Sequence, residues 1–171
     1  LAAGIVDAFQ KEGLPIFGPT RGAAQLETSK SFGKTIMRRQ GIPAGHARRF
    51  TDAGEAVKAL DEFKPPYVVK ADGLAAGKGV TVAATKAEAE QAIRDALEGG
   101  VFGAAGRLVL IEEFLEGEEL SVFALCDGAK AVPMQAAQDH KRVGDGDAGP
   151  NTGGMGAYSP VPHLAPARVE E

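Results

Sequence analysis

The densest chemistry in the sequence lies in Lys70-Ala71-Asp72-Gly73-Leu74-Ala75-Ala76-Gly77-Lys78-Gly79-Val80. Small residues here join two segments of strand character. The backbone can therefore close over a ligand without side-chain obstruction, and its N–H groups can face phosphate oxygens. Lys70 closes the incoming strand and Lys78 stands within the loop, so both add positive charge. Two familiar phosphate motifs do not fit. A Walker loop needs glycine where Asp72 stands and Ser or Thr where Gly79 stands. The dinucleotide motif needs a third glycine where Val82 stands. Taken alone, the segment also fits an ordinary flexible hairpin.

A second group is Leu110-Ile111-Glu112-Glu113-Phe114-Leu115-Glu116-Gly117-Glu118-Glu119, a strand ending in paired carboxylates before a turn at Gly117. By itself it equally suits an acidic surface bend. A third group runs from Gln138 to Pro160 and is polar and glycine-rich. A loop of that length in a compact protein is functional or disordered, and Val143, Met155 and Tyr158 among its charges favour function. His140 in this loop suits either a general base or a hydrogen-bonded structural histidine. His46 and His163 are expected to be structural.

The elements that must position these groups follow from periodicity. Leu1, Ile5, Val6 and Phe9 recur at helical spacing, and Gly13 suits the left-handed position after a helix. A short strand is expected over 14–17, closed by Gly18-Pro19. A helix over 29–40 has Ser29 as N-cap and Phe32, Ile36 and Met37 on one face, with Gly41 and Pro43 as stop signals. From His46 the pattern is a compact α+β unit. Asp52 and Glu55 form a capping-box pair that opens one helix with Val57, Leu60 and Phe63 on its inner face, and Pro65-Pro66 closes it. Thr85 and Glu88 form a capping box for another, with Ala89, Ile93, Ala96 and Leu97 as its stripe. Strands are expected over 67–71, 79–83 and 108–114, then two more from Leu120, broken at Asp127-Gly128. The periodicity at Leu1, and a helix-like opening at Arg168-Val169-Glu170-Glu171, predict an excerpt from a longer polypeptide.

The chain has 171 residues, 44% hydrophobic and 25% charged, as in a globular protein. Its net charge of −4 supplies no basic field, which argues against nucleic acid. No segment approaches the roughly 20 apolar residues of a membrane span. Cys126, the single cysteine, excludes an internal disulfide and fits a reducing cytoplasm. It falls in an alternating apolar run, where a small core residue is expected.

Together, the glycine loop and the Glu112 segment resemble the ATP-grasp superfamily, in which a small α+β lid and a larger subdomain hold ATP between them. The third segment, with Gly18-Pro19-Thr20 and Gln25-Leu26-Glu27-Thr28-Ser29-Lys30, narrows the likeness. The whole chain resembles the phosphoribosylamine–glycine ligase family. That resemblance implies the end of an α/β pre-ATP-grasp domain over 1–28. It implies a lid over 46–117, and parts of the large subdomain over 29–45 and 118–171.

The resemblance also implies roles. Lys30 and Lys70 contact ATP phosphates, assisted by the loop residues Gly73, Gly77, Lys78 and Gly79. Glu112, Glu113, Phe114 and Leu115 meet adenine, with the backbone of Glu113 and Leu115 reading its edge, and Glu119 accepts the ribose hydroxyls. Lys141 and Arg142 supply catalytic charge at the γ-phosphate. Asp139, Asn151, Thr152, Gly153, Gly154, Met155 and Gly156 line the substrate. The implied reaction phosphorylates the carboxylate of glycine with ATP, and the amine of 5-phosphoribosylamine then displaces phosphate. Anionic carboxylate and triphosphate must meet, so positive charge and preorganised N–H donors have to offset their repulsion. The implied cofactors are ATP and Mg2+ or Mn2+, with the metal ligands beyond Glu171, so the chain alone is expected to be inactive. The expected partners are small molecules, without nucleic acid or membrane, and the parent is a monomer or fused to other purine enzymes. Another ATP-grasp carboxylate–amine ligase or carboxylase, or a nucleotide-binding module without chemistry, stays open at this point. The wording of 139–160 argues against the first.

Overall fold

The computed structural model describes residues 1–75, 79–146, 148–151 and 156–162. They divide into two units, Leu1–Leu115 and Glu116–Glu171.

The first helix starts later than the apolar spacing suggests. Gly4 takes a left-handed backbone (φ 81°) and its N–H turns back to the Leu1 carbonyl at 2.8 Å. Helix α1 is therefore Ile5–Lys11, with Val6 buried, and Gly13 (φ 67°) lies just past its end. Residues 14–17 form no strand, against expectation. Among the described residues no sheet edge pairs with them, and an unpaired stretch has no ladder to define it as a strand. Helix α2 is Gln25–Thr28. Helix α3, Lys30–Arg39, opens on Ser29, whose Oγ accepts from the Phe32 N–H at 3.1 Å.

Strand β1 (Ala47–Phe50), helix α4 (Ala53–Ala59), strands β2 (Tyr67–Ala71) and β3 (Val80–Ala83), helix α5 (Lys86–Leu97) and strand β4 (Val109–Glu112) follow. The strands form one antiparallel sheet in the order β1-β4-β2-β3. β1 escaped the sequence reading because Arg48 and Arg49 break its apolar alternation. Arg48 instead lies 5.0 Å from the centre of the Phe50 ring and pairs with Glu62. Asp52 caps α4 through the Glu55 N–H at 2.8 Å, and α5 carries the complete Thr85–Glu88 capping box.

Period-two alternation gives this sheet two different faces. One face sends Phe50, Tyr67, Val69, Ala83, Val109 and Ile111 into a core with Ala56, Leu60, Ala89 and Ile93 of the helices and the turn after α4. Leu60, Ile93 and Ile111 have no exposed surface there, and each contributes about 1.5–3 kcal/mol by burial. The other face shows two rows in register, Val82–Val68–Glu112–Ala47 and Val80–Lys70–Leu110–Arg49.

Among its described residues the second unit holds three two-stranded antiparallel ladders. β5 (Ala124–Cys126) pairs β6 (Ala131–Pro133) across the Asp127-Gly128 turn, as its sequence predicts. β7 (Gln138–Asp139) pairs β10 (Ala157–Tyr158), and β8 (Arg142–Gly144) pairs β9 (Ala148–Asn151) between them. The described part of the glycine-rich segment is thus a nested pair of ladders. Its strands are too short and polar to show period-two alternation, and backbone pairing alone marks them. Cys126 is exposed, not a core residue. Every residue of β5 and β6 is exposed, so alternation there does not signify burial.

Candidate nucleotide site

Lys70 and Glu112 stand diagonally on the sheet face turned away from the helical core, in adjacent rows of adjacent strands. Lys70 Nζ lies 2.7 Å from Glu112 Oε2, and Lys34 Nζ of α3 lies 3.7 Å from the same oxygen. Glu112 is only 5% exposed. A carboxylate this buried, stripped of its cations, costs about 3–5 kcal/mol, so the two ammonium groups are part of the fold as well as of the site. Lys34 also donates to the Gly45 carbonyl at 3.1 Å. Beside Lys70, Val80 and Val82 leave about half of their surface exposed, an apolar strip next to a charged pair.

The start of α3 is fastened to the turn after β2. Asp72 accepts from the Ser31 N–H at 2.6 Å and from Ser29 Oγ at 2.9 Å. In the opposite direction, Lys30 Nζ donates to the carbonyls of Ala71 (2.8 Å), Gly73 (3.2 Å) and Asp72 (3.4 Å). Lys30 therefore clamps the backbone where the glycine loop begins. The two loop glycines that are described are demanded by contact. A Cβ on Gly73 would meet Ala105 Cβ at 2.9 Å, and one on Gly79 would meet Ala75 Cβ at 2.6 Å. Gly77 and Lys78 lie outside the described residues.

At the end of β4, Glu113 is held reciprocally by His46. The Glu113 N–H donates to the His46 carbonyl at 2.8 Å, and Glu113 Oε2 accepts from the His46 N–H at 3.0 Å. His46 stacks on Phe63 with centroids 5.4 Å apart, a structural histidine as expected. The Glu113 N–H is spent, which leaves its carbonyl to meet a ligand. Phe114 and Leu115 are exposed. A cleft of about 740 Å³ runs along α3 and β1, lined by Lys34, Arg38, Arg49 and Leu110 among others. Neither Lys70 nor Glu112 lines it.

In the second unit, Lys141 Nζ lies 3.1 Å from Asp139 and 3.3 Å from Glu119. The hydrogen bond to Asp139, and next that to Glu119, hold the lysine above its ordinary pKa of 10.5. Three residues expected in three roles thus meet at one ammonium. Arg142 donates to the Gly149 carbonyl at 3.3 Å across the β8–β9 turn. The His140 N–H donates to the Gly156 carbonyl at 3.0 Å, and its ring lies 5.5 Å from that of Tyr158. Tyr158 Oη in turn donates to Gln138 at 2.5 Å. Asn151 ends β9, while Thr152, Gly153, Gly154, Met155 and His163 lie outside the described residues.

The sequence reading missed Lys34 and Asp72. Lys34 was detectable, since it follows Lys30 by one helical turn and must share its face. Among the described residues no three His, Cys, Asp or Glu side chains converge as a metal site requires. No helix among them is long and apolar enough to cross a membrane.

The phosphoribosylglycinamide synthetase ATP-grasp (A) domain family matches residues 28–171. A phosphoribosylamine–glycine ligase of Phenylobacterium zucineum is 59% identical over 169 residues, 99% of this chain and 40% of the relative. That of Vibrio parahaemolyticus is 58% identical over 97% of this chain and 39% of the relative. The crystal structure of phosphoribosylamine–glycine ligase from Thermotoga maritima superposes with a TM-score of 0.81 at 40% identity, covering 88% of this chain and 38% of that one. The chain thus spans about 40% of the length of the curated relatives it matches. With a match over most of its length and relatives this close, the chain belongs to the phosphoribosylglycinamide synthetase ATP-grasp family.

Proposed function

We propose that this chain is the adenine-nucleotide-binding part of a longer phosphoribosylamine–glycine ligase. In this reading the full-length protein joins glycine to 5-phosphoribosylamine through a glycyl phosphate and releases ADP and phosphate. The observation that carries it is the sheet face turned away from the helical core, where the Lys70–Glu112 pair adjoins the exposed Val80 and Val82. A flat base can lie on the apolar strip, with its amino group donating to Glu112 and the Glu113 carbonyl. Lys70, at the mouth of the glycine loop, is within reach of the phosphates that follow. Glu119 serves the ribose hydroxyls, and Lys141 with Arg142 serves the γ-phosphate. Lys30 shapes the loop entrance. Its three carbonyl bonds must loosen for the direct phosphate contact that the family resemblance implies.

The 46–117 segment acts as the lid and 29–45 with 118–171 as parts of the large subdomain. The family's divalent cation, Mg2+ or Mn2+, would supply positive charge to offset that of the phosphates. The described residues do not offer it a complete site. The protein works in the cytoplasm on small molecules, as a monomer or fused to other purine enzymes.

The test is phosphate release by the full-length protein with ATP, glycine and 5-phosphoribosylamine, each omitted in turn. Release that requires all three is expected, and the isolated chain should give none. ATP binding without turnover by the full-length protein would instead favour a nucleotide-binding module.

A further inference from the structure

Glu112 has one more cation than it needs. Lys70 and Lys34 converge on the same buried oxygen, at 2.7 and 3.7 Å. The two lysines are held differently. Among the described residues, the Lys70 ammonium has Glu112 as its partner and nothing else. It rises from β2 where the glycine loop begins. Lys34 is tied by the Gly45 carbonyl at 3.1 Å and springs from α3, whose first turn is fastened to Asp72. One lysine can swing away from Glu112, and the other is anchored beside it.

We infer that Lys34 is a positioning residue of the nucleotide site. It keeps the Glu112 carboxylate charged and aimed once Lys70 leaves it for a phosphate. The inference rests on the reading of Lys70 and Glu112 given under the proposed function. A bound triphosphate draws the Lys70 ammonium toward its own oxygens, because that contact is charge-assisted at both ends. The departure would strand Glu112, which at 5% exposure cannot be rescued by water. With Lys34 present, the carboxylate keeps a counter-charge and still accepts from the adenine amino group. Without it, Lys70 must stay on Glu112 and give up the phosphate, or Glu112 is left buried without a counter-charge at a cost to the bound state. Either course weakens ATP. Neither touches a ligand that has the base and no phosphate, because Lys70 then never leaves.

The experiment is isothermal titration of the full-length protein with ATP and with adenosine, in wild type, Lys34→Met and Lys34→Arg. Lys34→Met should weaken ATP about tenfold, the scale of one charged hydrogen bond, and leave adenosine within about twofold. Lys34→Arg, which keeps the charge, should restore most of the ATP affinity. Equal losses for both ligands in Lys34→Met would assign Lys34 a merely structural part and overturn the inference, as would no loss for either. If Lys34→Met does not fold, a Lys34→Arg protein that loses both ligands equally would overturn it in the same way. Wild-type protein that binds neither ligand would bring down the nucleotide reading itself, and this inference with it.

Discussion

Lys70 Nζ and Glu112 Oε2 are 2.7 Å apart because β2 and β4 run antiparallel with Val68 opposite Glu112 and Lys70 opposite Leu110. The register sets the two charged residues one diagonal step apart on the same face, within reach of long side chains. Replacing Lys70 with alanine should leave the fold nearly intact, since Lys34 still faces Glu112. ATP should suffer. A charge-assisted phosphate contact is worth about 1.5–3 kcal/mol, so titration should show affinity reduced roughly 10- to 100-fold in the full-length protein. Unchanged affinity would remove the 70–80 segment from the phosphate site.

Glu119 is two-thirds exposed and pairs with Lys141. As ribose acceptor its carboxylate takes hydrogen bonds from two hydroxyls, one of which 2′-deoxy-ATP lacks. Glu119→Gln should therefore weaken ATP more than 2′-deoxy-ATP. Competition binding with the two nucleotides measures the difference, and equal losses would count against the assignment.

The Gly79 carbonyl accepts the Ala71 N–H at 2.7 Å. An added Cβ would stand 2.6 Å from Ala75 Cβ and 3.1 Å from Ala71 Cβ, and Ala71 belongs to a strand that cannot easily give way. Gly79→Ala should cost about 1–3 kcal/mol of stability as overpacking does, read from the denaturant midpoint at constant slope. A change below a few tenths of a kcal/mol would show that the turn is looser than its contacts indicate.

The Lys141 cluster makes a prediction about pH. Its folded pKa is raised above the ordinary 10.5, so the stability it adds is present in full below that value. That contribution fades as pH climbs above 10.5 and through the raised folded value. The effect is small because the side chain is half exposed and solvent screens it. Asp139→Asn removes the larger cause, so the Lys141 titration followed by NMR should move down toward the ordinary value. A midpoint indifferent to Asp139→Asn would falsify the pairing as the source of the shift.

Local physics in the sequence determined much of this protein. Thr85 with Glu88 and the stripe through Ala89, Ile93 and Ala96 made α5 legible, because caps and helical periodicity act within a few residues. β2 and β3 were legible as β-branched runs around a turn of small residues, and the Lys70, Glu112 and 138–160 wording carried the family. Other features were decided by partners far away in the chain. Strand β1 exists because β4 offers it a ladder, despite Arg48 and Arg49, while 14–17 has comparable strand character and no ladder. Cys126 alternates like a core residue, yet β5 and β6 bury neither face. Lys30 and Lys70 look alike in sequence. Tertiary structure separates them, placing one among three carbonyls and the other against a buried carboxylate, because the positions of carbonyls and counter-charges depend on how α3 meets the sheet. The same meeting brings Lys34 to Glu112, a contact across 78 residues of sequence that no local pattern could specify.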